Sequence, residues 1–228
     1  MSEVALSIII PALNEASGIE ASLRALVPMR RRGAEVIVAD GGSTDATAAL
    51  AAPLADLVLN APRGRALQMH AGAAAATGRV LLFLHADTLL PENADRLVLE
   101  RLAGGAHAWG RFDVRIAGRS PMLRVIATMI NLRSRLSGIA TGDQAMFAAR
   151  DAYLAVGGFP DQPLMEDIEL SRLLNKRSPP LCLRACVTTS GRRWETHGVW
   201  RTIVLMWRLR LRYWLGTPAH ILAEEYRR

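Results

Sequence analysis

The chain has 228 residues, 50% of them hydrophobic, and its mean hydropathy is +0.15. That is long enough to bury a substantial core as one large domain or a domain with a small appendage, and it falls short of the apolarity of a membrane-embedded protein. The net charge is +7, the isoelectric point is about 10.6, and Lys176 is the only lysine, so the basic character comes from arginine, which suits planar contacts with phosphate and carboxylate.

Residues 4–10 form a β-rich apolar run closed by Pro11, the pattern of a strand buried on both faces. Residues 15–32 are expected as a helix, with Ile19, Leu23, Leu26 and Val27 near helical spacing. Residues 36–39 make a second strand. It ends at Asp40-Gly41-Gly42-Ser43-Thr44-Asp45, where Ser43 or Thr44 is placed to cap the alanine-rich helix that follows. A third strand is expected over 57–59, a helix over 65–76 ended by Gly78, and a fourth strand over 80–84 running into His85-Ala86-Asp87. This β-α-β-α-β-α-β order specifies a parallel sheet with helices on both faces. Ligands in such folds bind at the carboxyl ends of the strands, which is where Asn14, Glu15, Asp40 and Asp87 fall.

The second half is less regular. A strand over 107–116 precedes a helix that starts at Ser120-Pro121 and runs to about Leu136. A short strand over 146–149, a turn at 157–160, a helix over 166–175 with an acidic first turn and a strand over 181–188 follow. Two helices, 199–215 and 218–226, close the chain. Cys182 and Cys186 stand too far apart along a strand to bridge and lack the companions of a zinc site, so both are expected as buried small hydrophobes. The apolar stretch 7–13 is short and has no basic leader, and no run of eighteen apolar residues exists. The expected location is therefore cytoplasmic, with no segment spanning a bilayer.

Acidic strand ends can hold a divalent cation, and such a cation can hold a diphosphate, because magnesium and manganese commonly use one or two carboxylates plus substrate phosphates. Asp87 is the leading ligand, with His85 two residues before it on the same side of the strand.

The motifs carry a resemblance. Ser7-Ile8-Ile9-Ile10-Pro11-Ala12-Leu13-Asn14-Glu15 resembles the first strand and nucleotide loop of the family 2 glycosyltransferases, which have the GT-A fold, a mostly parallel Rossmann-like sheet between helices. Val38-Ala39-Asp40-Gly41-Gly42-Ser43-Thr44-Asp45 resembles their second loop. Arg63-Gly64-Arg65 through Gly78 resembles the approach to their acidic motif, and Phe83-Leu84-His85-Ala86-Asp87-Thr88 stands where that motif, usually Asp-x-Asp, belongs. Gly157-Gly158-Phe159 with Glu166-Asp167 resembles their acceptor loop and catalytic carboxylate. The match runs from about residue 5 to 195. The Leu84–Thr88 and Gly142-Asp143-Gln144 variants resemble a bacterial subfamily associated with radical-SAM and selenium-related proteins.

The resemblance implies inverting transfer from a nucleotide sugar, UDP before GDP, to an acceptor that includes lipid-linked ones. It implies that Pro11, Asn14, Glu15 and Asp40 bind the nucleoside, that Asp87 ligates Mn²⁺ or Mg²⁺, and that Asp167 is the general base. Arg63 and Arg65 are candidates for the diphosphate. Asp143, Gln144, Glu166, Arg193 and Trp194 are candidates for the acceptor or donor sugar. His85 replaces the usual first aspartate, and its role stays open between metal ligand, ribose contact and packing residue. A nucleotidyltransferase would carry a Gly-rich basic loop after the first strand, which Pro11–Glu15 is not. A silent nucleotide-binding relative is opposed by the presence of Asp87 and Asp167.

Residues 1–195 are expected as the transferase domain and 196–228 as a helical appendage. In the helix over 199–215, Arg201, Arg208 and Arg212 share one face and Arg210 falls on the opposite, apolar one. Trp200, Trp207, Tyr213 and Trp214 add aromatic surface. Such a helix fits a peripheral membrane contact, packing on its own domain or a homodimer. Residues Met122, Ile126, Met129, Ile130 and Leu136 of the earlier helix fit the same surface. Nucleic acid is not expected as a partner.

Overall fold

A computed structural model describes residues 4–227. The first half follows the expected alternation: β1 (Leu6–Ala12), α1 (Ile19–Arg31), β2 (Glu35–Asp40), α2 (Thr47–Ala51), β3 (Leu57–Asn60), α3 (Arg65–Ala75) and β4 (Val80–Phe83). These strands pair in parallel in the order β3-β2-β1-β4. Side chains alternate across β1. Ile8 and Ile10 pack with Leu23 and Leu26 of α1 in one core cluster, and Ile9 packs with Met69 and Ala73 of α3 in the other. The unbroken apolar run is therefore needed, because helices cover both faces of the sheet.

The second half turns the sheet antiparallel. It comprises β5 (Thr88–Leu89), α4 (Ala94–Ala103), β6 (Trp109–Ala117), α5 (Met122–Ser137), a 3₁₀ turn at Gly142–Gln144, β7 (Phe147–Ala149), α6 (Arg150–Ala155), α7 (Glu166–Asn175) and β8 (Leu181–Ser190). The helices α8 (Arg192–His197), α9 (Val199–Trp214) and α10 (Ala219–Arg227) follow. The described strands form one sheet in the order β3-β2-β1-β4-β7-β6-β8-β5, with β7 antiparallel to both its neighbours and β6 parallel to β8. Leu209 of α9 and Leu222 and Ala223 of α10 bury themselves against Leu164 and Met165, just before α7.

Several expectations are corrected. The first helix begins at Ile19, not at residue 15, because residues 14–16 are hydrogen-bonded to the loop after β2 and Asn14 has φ +54°, a left-handed conformation that asparagine tolerates. Neither Ser43 nor Thr44 caps α2. The Thr47 amide instead donates to Asp45 Oδ1 at 3.0 Å. Gly78 does not end α3, whose last turn closes at Ala76; a Cβ on Gly78 would lie 2.6 Å from the Ser7 nitrogen. Cys182 and Cys186 are free and only half-buried, because the β6–β8 register jumps from Phe112↔Leu183 to Asp113↔Cys186 and breaks the alternation of β8. The elements β5, α4, α6 and α8 were not expected.

The exposed surface of α9 is also different. Trp200, Val204, Trp207, Leu211 and Trp214 face outward, Leu209 and Thr202 face inward, and Arg210 is half-buried between the two faces. On α5 the outward stripe is Val125, Met129, Leu132 and Leu136, whereas Ile126 is buried and Met122 and Ile130 are half-buried.

Candidate active site

The carboxyl ends of β1 and β4 open into a cleft of about 1090 Å³. Pro11, Glu15, Arg63, Arg65, His85, Asp87, Asp143, Arg193 and Trp194 all line it. Residues spread over most of the chain thus converge in one place.

Two loops form the floor. The Asn14 amide donates to Ser43 Oγ at 2.9 Å, and the Thr44 amide donates to Asn14 Oδ1 at 2.9 Å. Asp40 is buried, and its carboxylate accepts from the amides of Gly42 (3.1 Å) and Ser43 (2.9 Å) and from the Ser43 hydroxyl (2.5 Å). Asn14 and Asp40 are therefore loop-shaping groups here and do not line the cleft. Sequence reasoning missed Gln68. Its Nε2 donates to the carbonyls of Ala12 (2.7 Å) and Ala39 (2.9 Å), tying together the ends of β1 and β2. The available signal was a polar side chain on the buried face of α3.

The opposite wall is built from charge. Arg65 forms an ion pair with Glu166, whose side chain is buried. Burial works against the Arg65 cation, but the carboxylates of Glu166 and Asp167 outweigh it and hold the guanidinium above its ordinary range. Glu166 is thus turned to Arg65 and not into the cleft. Gln144 is fully buried, and its Oε1 accepts from the Thr141 amide at 3.2 Å, so it shapes the 3₁₀ turn and does not line the cleft. Asp143, on the same turn, faces the cleft. His85 Nδ1 lies 3.5 Å from Asp143 Oδ1. Half of the Asp143 side chain is exposed; its crowded side would raise the carboxyl, but His85, Arg65 and Arg133 hold it below its usual value.

Asp167 lies one layer behind. It shares a small enclosed pocket with His85, Gly142 and Glu166. Its Oδ2 accepts from the Gly142 amide and its Oδ1 from the Ile168 amide, both at 2.8 Å. Burial first and the Glu166 charge second push its carboxyl above the ordinary value, against the lowering effect of Arg65. A Cβ at Gly142 would sit 2.4 Å from His85 Nε2, so only glycine lets the imidazole occupy the space between Asp143 and Asp167.

At the cleft mouth Asp87 is exposed and Glu15 is its neighbour. Burial raises the Glu15 carboxyl, Asp87 raises it further, and Arg192, whose Nη2 is 3.7 Å from Glu15 Oε2, opposes this. Two carboxylates repelling across an open cleft are a donor set that a hard divalent cation fits, with phosphate oxygens completing its shell. Among the described residues no three His, Cys, Asp or Glu groups gather as a closed metal site. The ring of His85 is engaged with Asp143, which leaves Asp87 as the open member of the His-x-Asp pair. The far wall carries Arg193, stacked 3.7 Å over the Tyr226 ring of α10, and half-buried Trp194. Arg192 and Tyr226, both cleft-lining, were not foreseen.

The sequence profile of "Glycosyl transferase family 2" matches residues 7–155, from β1 into α6. The chain belongs to that family. Its curated relative in Rhizobium meliloti (strain 1021), the succinoglycan biosynthesis protein ExoA, is 38% identical over 190 residues, covering 74% of this chain and 57% of the relative. The chain therefore spans little more than half of that relative's length. Among solved structures, S. aureus TarS 1-349 in complex with UDP-GlcNAc superposes with a TM-score of 0.67 at 17% identity, over 82% of this chain and 58% of that one. The mannosyltransferase PcManGT from Pyrobaculum calidifontis, in complex with GDP-Man and Mn²⁺, gives 0.59 at 23% identity, over 80% of this chain and 56% of that one. The fold is GT-A, as in the solved neighbours, and the family, matched over residues 7–155, is that of the family 2 glycosyl transferases.

Proposed function

We propose that the protein is an inverting glycosyltransferase that moves a sugar from a nucleoside diphosphate donor, UDP before GDP, to a hydroxyl or phosphate acceptor, with lipid-linked acceptors included. The observation that carries this is the convergence of Glu15, Asp87, Asp143 and the arginines in one cleft, with the raised carboxyl of Asp167 immediately behind it. The nucleotide sugars held by the two solved neighbours support the donor class.

In this reading Pro11 and Glu15 border the nucleoside, and the loops held by Asn14, Asp40 and Gln68 present their backbone to it. Arg63, Arg192 and Arg193 neutralise the leaving diphosphate. A divalent cation at Asp87, with Glu15 opposite, would supply Lewis-acid stabilisation of the same oxygens. Asp167, its carboxyl raised by burial and by the Glu166 charge, takes the acceptor proton. Asp143 and Trp194 orient the sugar or the acceptor, and Glu166 acts through Arg65. One direct displacement inverts the anomeric centre. Residues 1–195 form the transferase unit, and 196–228 an appendage that completes the cleft through Tyr226. The Leu84–Thr88 and Gly142–Gln144 variants support placement in the radical-SAM- and selenium-associated subfamily, and the expected place of work is the cytoplasmic side of a membrane.

A melting-temperature screen of UDP- and GDP-sugars with Mn²⁺ or Mg²⁺ tests the assignment, since a ligand that binds only the folded state must raise the midpoint. One donor is expected to shift it, and Asp40→Ala and Asp87→Ala each to abolish the shift. No shift with any sugar nucleotide would overturn the reading.

A further inference from the structure

The outer face of α9 has no partner in the fold. Trp200, Val204, Trp207, Leu211 and Trp214 are 70%, 63%, 68%, 57% and 81% exposed. Their positions follow the i, i+4, i+7 spacing of a single helix face. The inner side of the helix is already used, with Leu209 fully buried against Leu164, Met165 and Leu222. The chain has five tryptophans; Trp109 is buried and Trp194 half-buried, and the other three stand on this stripe. Arg201, Arg208 and Arg212 flank it. Arg208 and Arg212 share one carboxylate, Glu225, and no carboxylate among the described residues lies within ion-pair distance of Arg201. Together with Trp200, Val204 and Ile221, and with the carboxylates of Glu224 and Glu225, they line a groove between α9 and α10 that keeps a net positive charge.

We infer that this face docks on an anionic lipid bilayer, with α9 lying in the plane of the headgroups. Aromatic rings belong at the headgroup level, and a row of arginines beside them matches lipid phosphate. A second copy of the chain fits less well. The core of a stable protein interface is depleted of charged residues, whereas Arg201, Arg208 and Arg212 border this stripe. A two-fold contact would also set the arginine row close to its own image. No helix among the described residues is long and apolar enough to cross a membrane, so the contact is peripheral. Thr202 and Met206, on the inner side of α9, line the catalytic cleft. Docking therefore sets that cleft at the bilayer surface, where a lipid-linked acceptor would enter it. This last step rests on the proposed transferase reading; the docking itself does not.

The test is flotation of the full chain with vesicles of phosphatidylcholine alone or with about 30% phosphatidylglycerol, in the absence of any sugar nucleotide. Binding is expected only to the anionic vesicles. It should weaken between about 50 and 500 mM salt, and brominated acyl chains should quench tryptophan emission. The triple variant Trp200→Gln, Trp207→Gln, Trp214→Gln is expected to lose at least tenfold in partitioning while keeping its melting temperature. Should that variant fold poorly, Arg201→Glu and the quenching of the unmodified protein carry the test. Three results each overturn the inference: no binding to anionic vesicles, equal binding to neutral ones, or a dimer in sedimentation equilibrium that the triple variant converts to monomer. Loss of transferase activity with vesicle binding intact would strike the catalytic reading alone.

Discussion

At the β1–β2 end of the cleft, loop groups satisfy one another; at the end formed by the 3₁₀ turn and α7, some buried polar atoms have no partner among the described residues. Asn14, Asp40, Ser43, Asp45 and Thr47 form a closed set of hydrogen bonds between two loops. Across from them His85 Nε2 and Glu166 Oε2 are buried with no hydrogen-bond partner among the described residues, and so are Nε and Nη2 of Arg133, whose cation burial disfavours despite the charges of Asp167 and Asp143. An unpartnered buried polar atom costs about 1–3 kcal/mol, a cost that native proteins tolerate mainly where function asks for it. The first region is closed by its own hydrogen bonds, and the second keeps buried polar atoms that no described residue satisfies.

The largest expected effect breaks the second region. Asp167→Asn should lower kcat by about 10²–10⁴-fold while the donor-induced rise in melting temperature stays. Loss of both together would remove the distinction between the regions. Glu166→Gln strips Arg65 of its counter-charge. The full cost of orphaning a buried charge is about 3–5 kcal/mol, but the Arg65 side chain is 40% exposed, and solvent screening reduces the expected loss to about 1–3 kcal/mol in urea melts. An unchanged midpoint would show that the pair contributes nothing to stability.

In the first region Asn14→Ala removes an acceptor and forces alanine into a left-handed backbone. About 1–2 kcal/mol of stability should go, with weaker donor binding and kcat close to that of the unmodified enzyme at saturating donor. A collapse of kcat would mean that this loop takes part in the chemistry.

The smallest effect is a pH slope. Burial, then Glu166, raise the Asp167 carboxyl above its ordinary 3.8. The folded protein therefore holds this proton more tightly than the unfolded chain does. The associated stability is fully present below the unfolded value and is lost as pH rises through the folded one. Asp167→Asn, which never ionises, should gain on the unmodified protein as pH climbs from below 4 toward neutrality. Urea midpoints across that range check the sign, and a difference that shrinks with pH would contradict it.

Much of the fold was legible because its signals are local. The bounds of α7, 166–175, follow from an acidic first turn and an apolar stripe, and β1 and β2 from unbroken apolar runs. The helix α8 was not legible, since six residues with no buried side chain carry no stripe. Cap choice failed for a different reason. Ser43 has the right chemistry for a cap, but Asp40 takes its hydroxyl, a contact that local spacing does not rank. The cleft members were readable as types, whereas the partnerships of His85 with Asp143 and Arg65 with Glu166 join residues 58 and 101 positions apart, which only the tertiary structure sets. The outward face of α9 was left open by the sequence, because tryptophan and arginine both occur along it and spacing alone does not say which sector meets the core.

The two-residue strand β5 is small enough to overlook, yet it acts as a ruler. Thr88 Oγ1 donates to Thr189 Oγ1 at 2.9 Å, and the Ser190 amide donates to the Asp87 carbonyl at 3.2 Å. Asp87 and the turn leading to Arg192 and Arg193 thus hang from neighbouring rungs of one ladder. Paired strands stand about 4.8 Å apart, so the main chain sets the spacing between the backbone that carries Asp87 and the backbone that leads to Arg192 and Arg193.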